Sequence, residues 1–232
     1  MQTPPNVTPQ GPGAASANAL LERLARVDTT SLADAAGGSL RVLPAALRPI
    51  RRGLRMAGRA LTADAREDLM PVLAALKQAG PGDVLVLAGN PQHAVAGELF
   101  ATEALRRGAA GMVIDGLCRD SRTLAELDLP VYARGVAPTA CPARALPVVG
   151  DPVSIDGVEV RQGDVLLGDD DGLLTGSEEA VLAVLEAAEA IQRREEALRA
   201  AILGGESLFE HLNYDEHLAA LRAGTETGLA FS

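Results

Sequence analysis

The stretch Gly89–Asp120, GNPQHAVAGELFATEALRRGAAGMVIDGLCRD, decides the fold. It follows the short apolar run Val84-Leu85-Val86-Leu87 and turns at Gly89-Asn90-Pro91. A segment of Ala, Leu, Glu and Arg with helical character comes next, and the chain returns through Met112-Val113-Ile114 to Arg119-Asp120. The order is strand, loop, helix, strand, charged pair. Amides at a helix start have no intrahelical acceptor and attract anions. Here they fall close to the end of the second strand, where a guanidinium and a carboxylate can face the same ligand. The unit therefore reads as a site for a small anionic substrate.

Before this unit, residues 68–79 carry Leu69, Val72, Leu73 and Leu76 at helical spacing, and Gly80-Pro81-Gly82-Asp83 stops that helix. Residues 55–63 alternate as a strand, Arg41-Val42-Leu43 form another, and 44–49 read as a turn. Helical pattern covers 19–26, and Asp28-Thr29-Thr30-Ser31 cap a second short helix that Gly37-Gly38 end. Residues 1–18, MQTPPNVTPQGPGAASAN, read as a disordered arm.

After the unit, a short polar helix over 121–126 precedes a buried strand at 130–133 and a loop over 138–147. Short strands are expected at 148–149, 153–155, 158–160 and 165–167, with Asp156-Gly157 marking a hairpin. The acidic run Asp169-Asp170-Asp171 lacks the alternating ligands of a calcium loop and reads as turn chemistry. From Ser177 a long helix runs to Gly204-Gly205, too long to lie wholly on a small domain, so its end is expected to project onto a neighbouring subunit. The expected organisation is one domain over 19–206 and an extension over 207–232.

With 232 residues the chain can bury one sizeable core. A net charge of -10 argues against a nucleic-acid surface, which needs clustered Lys and Arg. Cys118 and Cys141 are expected to be buried, reduced thiols. No apolar run reaches the ~20 residues of a membrane span, and no secretory leader is evident, so a cytoplasmic location is expected. Only 2% of residues are aromatic, which calls for a close-packed aliphatic core without stacking platforms for flat cofactors.

Residue types then narrow the chemistry. Neither a dinucleotide fingerprint nor a Walker loop is present. Lys77, the only lysine, lies on the polar side of a helix, against a Schiff-base mechanism. The histidines, at 93, 211 and 217, have no zinc-ligand spacing. Oxygen chemistry around a hard cation remains. Asp120 with Glu98 can hold Mg²⁺ or Mn²⁺, Arg119 can bind the oxygens of a 2-oxo acid, and the amides of Gly97, Glu98, Leu99 and Phe100 can take its carboxylate. Such a set stabilises an enolate. Taken alone, Arg119-Asp120 reads more simply as a surface ion pair.

The ordered set of motifs resembles the RraA-like family, which comprises class II 4-hydroxy-4-methyl-2-oxoglutarate/4-carboxy-4-hydroxy-2-oxoadipate aldolases and regulators of ribonuclease E activity. The resemblance rests on Thr30-Ser31-Leu32-Ala33-Asp34-Ala35, Ala57-Gly58-Arg59-Ala60-Leu61-Thr62, Pro81-Gly82-Asp83-Val84-Leu85-Val86, Gly97-Glu98-Leu99, the 108–116 run, Arg119-Asp120, and Gly163-Asp164 before Asp171-Gly172. Its aldolase members carry an acidic residue, twenty residues, then Arg-Asp, and Glu98 with Arg119-Asp120 has that spacing. The regulators tend to have Gly at the first position and an acidic residue three places after the Asp, where this chain has Thr123.

The resemblance implies an α/β fold, an α-β-β-α sandwich, assembled as homotrimers or homohexamers with active sites at subunit interfaces. It implies Asp120 as ligand of Mg²⁺ or Mn²⁺, Arg119 polarising the 2-oxo group, and Glu98 as base or water-positioning carboxylate. The pyruvyl carboxylate would rest on the amides from Gly97 to Phe100. Glu195 of a neighbouring subunit, or Glu196 beside it, would contact metal-bound water. The implied activity is retro-aldol cleavage of a 4-hydroxy-2-oxo acid to pyruvate, with oxaloacetate decarboxylation through the same enolate. The alternatives are a non-catalytic protein that binds a ribonuclease, or a pathway-specific lyase with another substrate.

Overall fold

A computed structural model describes residues 12–231. Helix α1 spans Pro12–Leu24 and α2 Thr29–Ala36; short strands β1 (Arg41–Val42) and β2 (Arg48–Pro49) lead to β3 (Met56–Asp64). Then follow α3 (Met70–Gln78), β4 (Asp83–Ala88), β5 (Ala94–Ala96), α4 (Glu98–Arg106), β6 (Gly111–Cys118), α5 (Ser121–Leu124) and β7 (Val131–Val136). The hairpin β8 (Val153–Ile155) and β9 (Val158–Val160) precedes β10 (Val165–Gly168), β11 (Leu173–Gly176) and the 26-residue α6 (Glu178–Leu203). A 3₁₀ turn (Leu208–His211) and α7 (Tyr214–Arg222) complete the chain.

Among the described residues the main sheet has nine strands. Its order is β1-β11-β10-β3-β4-β6-β7-β2, with β5 added on β6. The centre, β3-β4-β6-β7, is parallel, and the outer pairs are antiparallel. Parallel neighbours need crossovers, which α3, α4 and α5 supply, and a parallel centre must be covered on both faces. Strand alternation does this sorting. Leu85, Leu87, Met112 and Ile114 face a core shared with Val72, Leu76, Ala101 and Ala104 of α3 and α4. Val84, Val86 and Val113 face the other way, onto Val153, Ile155 and Val160 of the hairpin. Each such fully buried aliphatic contributes roughly 1.5–3 kcal/mol. A third cluster packs α1, α2 and the start of α6 on Val165, Leu167 and Leu174. The layered α/β arrangement expected from the sequence is therefore present.

Local signals act as read. Asp28 Oδ1 accepts the Ser31 amide at 2.7 Å to start α2, and Gly37, in the left-handed region, ends it. Asp169 of the acidic turn accepts the Thr29 amide and hydroxyl at 2.8 and 2.6 Å, while Asp170 accepts the Gly53 amide at 2.9 Å. These carboxylates tie loops together.

Some elements differ from expectation. Of the arm expected over 1–18, residues 1–11 lie outside the described residues and 12–18 belong to α1, where Pro12 occupies a helix-start position it tolerates. Val148-Val149 form no strand; Val149 makes only an isolated bridge to Ala63. The expected turn at 44–49 contains β2, which pairs antiparallel with β7.

The chain divides into two compact units, Met1–Ala188 and Glu189–Ser232. The second holds itself together through Asn213, whose side chain accepts the Ala230 amide at 2.7 Å and donates to the Gly228 carbonyl at 3.0 Å. Ser207 and Glu210 form a reciprocal cap on its 3₁₀ turn. Among the described residues no helix is long and apolar enough to cross a membrane.

Candidate active site

The site forms where β5, β6 and α4 meet at the carboxyl end of the parallel strands, the usual place for ligands in such sheets. Backbone bonds fix the pieces: Arg119 N donates to Ala96 O at 2.9 Å, and Ala137 N to Cys118 O at 2.9 Å. Asp120 then turns the chain into α5 with a left-handed backbone (φ 56°), a conformation that Asp adopts more readily than most residues. That turn brings its carboxylate back over the start of α4. Asp120 Oδ2 accepts the Glu98 amide at 3.1 Å and lies 3.4 Å from Arg119 Nε.

Gly97 makes the approach possible. Its backbone is extended, so conformation does not demand glycine. Space does: a Cβ there would lie 2.3 Å from Asp120 Oδ2 and 2.8 Å from Arg119 Cγ. The close packing of strand end on helix start thus positions the charged pair.

Two recesses flank the pair. Leu69, Ala94, Ala96, Leu99, Phe100 and Ala140 wall one, together with Gly97, Arg119 and Asp120. Ser121, Val136, Ala137 and Pro138 wall the other, again with Arg119 and Asp120. The structure thus brings together Gly97, Leu99, Phe100, Arg119 and Asp120. Glu98 contributes its amide, but its carboxylate lines neither recess. Glu195 and Glu196 lie on the part of α6 that belongs to the second unit, where Glu195 is exposed and Glu196 accepts a 3.0 Å bond from Gln192.

Sequence reasoning did not find the apolar wall or its anchor. Asp68, buried, accepts the amides of Met70, Arg144 and Ala145 at 2.8, 2.7 and 3.1 Å, and Leu69 N donates to Pro142 O at 2.7 Å. Together these pin the 140–145 segment beside the recess. Burial works against the Asp68 charge, but the amides of Met70, Arg144 and Ala145 hold its carboxyl below the usual range. The one local signal that could have found it is its place just before a helix that opens with Met70-Pro71. Cys118 and Cys141 are buried free thiols, as expected, and burial pushes Cys118 up to about 11.

The donor set can be tested against a hard cation. Asp120 Oδ1 carries no hydrogen bond among the described residues, and no group of three or more His, Cys, Asp or Glu there could hold a metal. One free carboxylate oxygen beside an open recess fits an ion that keeps most of its waters, as Mg²⁺ does, and not a zinc cage.

An α/β sheet with a parallel centre, at whose carboxyl end a helix start meets an Arg-Asp pair, defines the class. This chain belongs to the RraA-like family: the family model described as Aldolase/RraA matches residues 29–175. A protein of Halalkalibacterium halodurans named "Putative 4-hydroxy-4-methyl-2-oxoglutarate aldolase" is 35% identical over 162 residues, covering 67% of this chain and 77% of its own. Among solved structures, an uncharacterized protein from Pseudomonas syringae pv. tomato str. DC3000 matches with TM-score 0.75 and 26% identity, over 84% of this chain and 96% of that one. The RNA-processing inhibitor RraA from Thermus thermophilis matches with TM-score 0.60 and 31% identity, over 65% and 92%.

Proposed function

We propose that this chain is a divalent-metal-dependent carbon-carbon lyase that releases pyruvate or an analogue from a 2-oxo acid. Retro-aldol cleavage of a 4-hydroxy-2-oxo acid and decarboxylation of oxaloacetate share one enolate and belong to the same site. The observation that carries this reading is the Asp120 carboxylate, held by the Glu98 amide beside Arg119, with its second oxygen free.

In this reading the Leu99 and Phe100 amides and the positive end of α4 bind the substrate carboxylate. The Arg119 guanidinium lies against the 2-oxo oxygen and balances the negative charge that develops there. Asp120 would hold Mg²⁺ or Mn²⁺, which when bound would supply Lewis acidity for the developing negative charge. Leu69 and Phe100 keep water from the reacting carbons. Glu98 takes the substrate hydroxyl proton through a water, since its own side chain stands off the recess. Assembly as a homotrimer or homohexamer, with Glu195 of a neighbouring copy near the bound ion, belongs to the same proposal.

A second reading, a protein that binds a ribonuclease without chemistry, is favoured by the likeness to the Thermus RNA-processing inhibitor. Oxaloacetate decarboxylation separates the two. Pyruvate release with Mg²⁺ or Mn²⁺, stopped by chelator and reduced at least a thousandfold in Arg119→Ala and Asp120→Asn, supports the lyase. No turnover from the folded protein with either metal sinks it.

A further inference from the structure

We infer that Asp68 is a positioning residue of this site: its carboxylate sets the gap between Leu69 and the 140–145 segment, and so how closely the recess between them grips the substrate. The inference rests on the lyase reading above and deepens it.

The recess encloses only about 50 Å³, and two of its walls, Leu69 and Ala140, come from stretches far apart in sequence. Strand β5 carries the start of the second stretch, since Ala94 N donates to Thr139 O at 2.7 Å and Cys141 N to Ala94 O at 3.1 Å. Leu69 N then reaches across to Pro142 O at 2.7 Å. Asp68 closes the clasp. Its Oδ1 accepts the Met70 amide at 2.8 Å, which fixes the turn that presents Leu69. Its Oδ2 accepts the Arg144 and Ala145 amides at 2.7 and 3.1 Å. One carboxylate thus bonds both stretches.

Three donors converge on two oxygens, which suits a carboxylate and no other side chain of that size. Asparagine keeps the shape but offers one acceptor, and its NH₂ would face amides that also donate. One side of the clasp is then lost. In a space this small, a wall shift of about 1 Å changes the fit. Leu69 and Ala140 are uncharged, so they touch the carbon chain alike in the bound substrate and in the transition state. Loosening them raises KM and leaves kcat. Arg119 and Asp120 differ, because they act on the charge that develops.

The test is Mg²⁺-dependent oxaloacetate decarboxylation by the full chain, with kcat and KM measured separately. In Asp68→Asn, KM should rise at least fivefold while kcat per folded molecule stays within twofold. Ala145→Pro, which removes one of the segment's donors at an exposed position, should raise KM at least twofold even if Asp68→Asn folds poorly. Leu69→Ala should also raise KM, and Asp68→Asn added to it should raise KM less than twofold further, because Asp68 acts through that wall. Asp169→Asn is the control. Asp169 is likewise buried and accepts the Thr29 amide and hydroxyl and the Asp171 amide, yet lines neither recess, so its loss should lower Tm and leave KM.

Trypsin reads the clasp without turnover. Cleavage after Arg144, which is exposed, should be at least fivefold faster in native Asp68→Asn than in wild type. An unchanged KM in the Asp68 and Ala145 variants, an equal rise in Asp169→Asn, or tryptic cleavage at the wild-type rate overturns the inference alone, since the wild-type chain still turns over. No metal-dependent turnover by the wild-type chain sinks the lyase reading and this inference together.

Discussion

Gly97→Ala tests the positioning of the charged pair. The added Cβ would sit 2.3 Å from Asp120 Oδ2 and 2.8 Å from Arg119 Cγ. A relaxed carbon-oxygen contact needs about 1 Å more, and retreat of Oδ2 by that amount breaks its 3.1 Å bond to the Glu98 amide. Misplacement of reacting groups by about 1 Å costs on the order of 10²-fold in rate, equivalent to about 2.7 kcal/mol at the transition state. Stability should hardly change. The extended backbone at Gly97 suits alanine, and the entropy gained by removing glycine, about 0.4–1 kcal/mol, offsets a poorer helix cap. Oxaloacetate decarboxylation with Mg²⁺, beside a thermal melt, reads both quantities. Wild-type kcat in Gly97→Ala would refute the reasoning, as would a loss of activity that merely tracks a large fall in Tm.

Two further outcomes concern the frame and its charges. Gly58→Ala, in β3, places a Cβ 2.5 Å from Gly82 O and 2.7 Å from Val84 Cγ2, so overpacking should cost about 1–3 kcal/mol by urea unfolding while activity per folded molecule is kept. Hydrogen bonds from Arg106 and then Arg107 hold Glu103 down to about 2 from an unfolded value of 4.5. The stabilisation is complete above pH 4.5 and is lost as pH falls from there toward 2; Glu103→Gln should therefore flatten the decline in unfolding midpoint between pH 5 and 3, and an unchanged decline counts against the bridge.

The central β4-α4-β6 unit was legible because its signals are local. An apolar run, a Gly-rich turn and a helical Ala/Leu/Glu/Arg stretch each act within a few residues. The hairpin at Asp156-Gly157 and the capped α2 were legible for the same reason. Strand β5 was not: Ala94-Val95-Ala96 is too short to carry a period, and pairing with β6 alone makes it a strand. Strand β2 likewise exists through its pairing with β7.

At the site, residue type alone read Arg119 and Asp120 as a surface ion pair and the family resemblance gave them their roles; the structure sets them 3.4 Å apart beside the start of α4. What the sequence did not carry was the bond from Asp120 to the Glu98 amide, or the role of Asp68, which reaches across 76 and 77 residues to Arg144 and Ala145. Such long-range contacts follow from the folded sheet and leave no local periodicity. The same holds for Glu98, where spacing identified a carboxylate and the structure engages its backbone amide.

The scarcity of aromatic rings has an optical consequence. With no tryptophan and only two tyrosines, the near-ultraviolet signal of the chain belongs almost wholly to Tyr132 and Tyr214. One lies in each unit. Tyr132 is fully buried, its hydroxyl donates to Asp169 O at 2.9 Å, and burial pushes its ionisation upward. Tyr214 is exposed and meets the Phe209 ring edge-on at 5.4 Å. Replacing either by phenylalanine leaves a chromophore that watches one unit melt without the other.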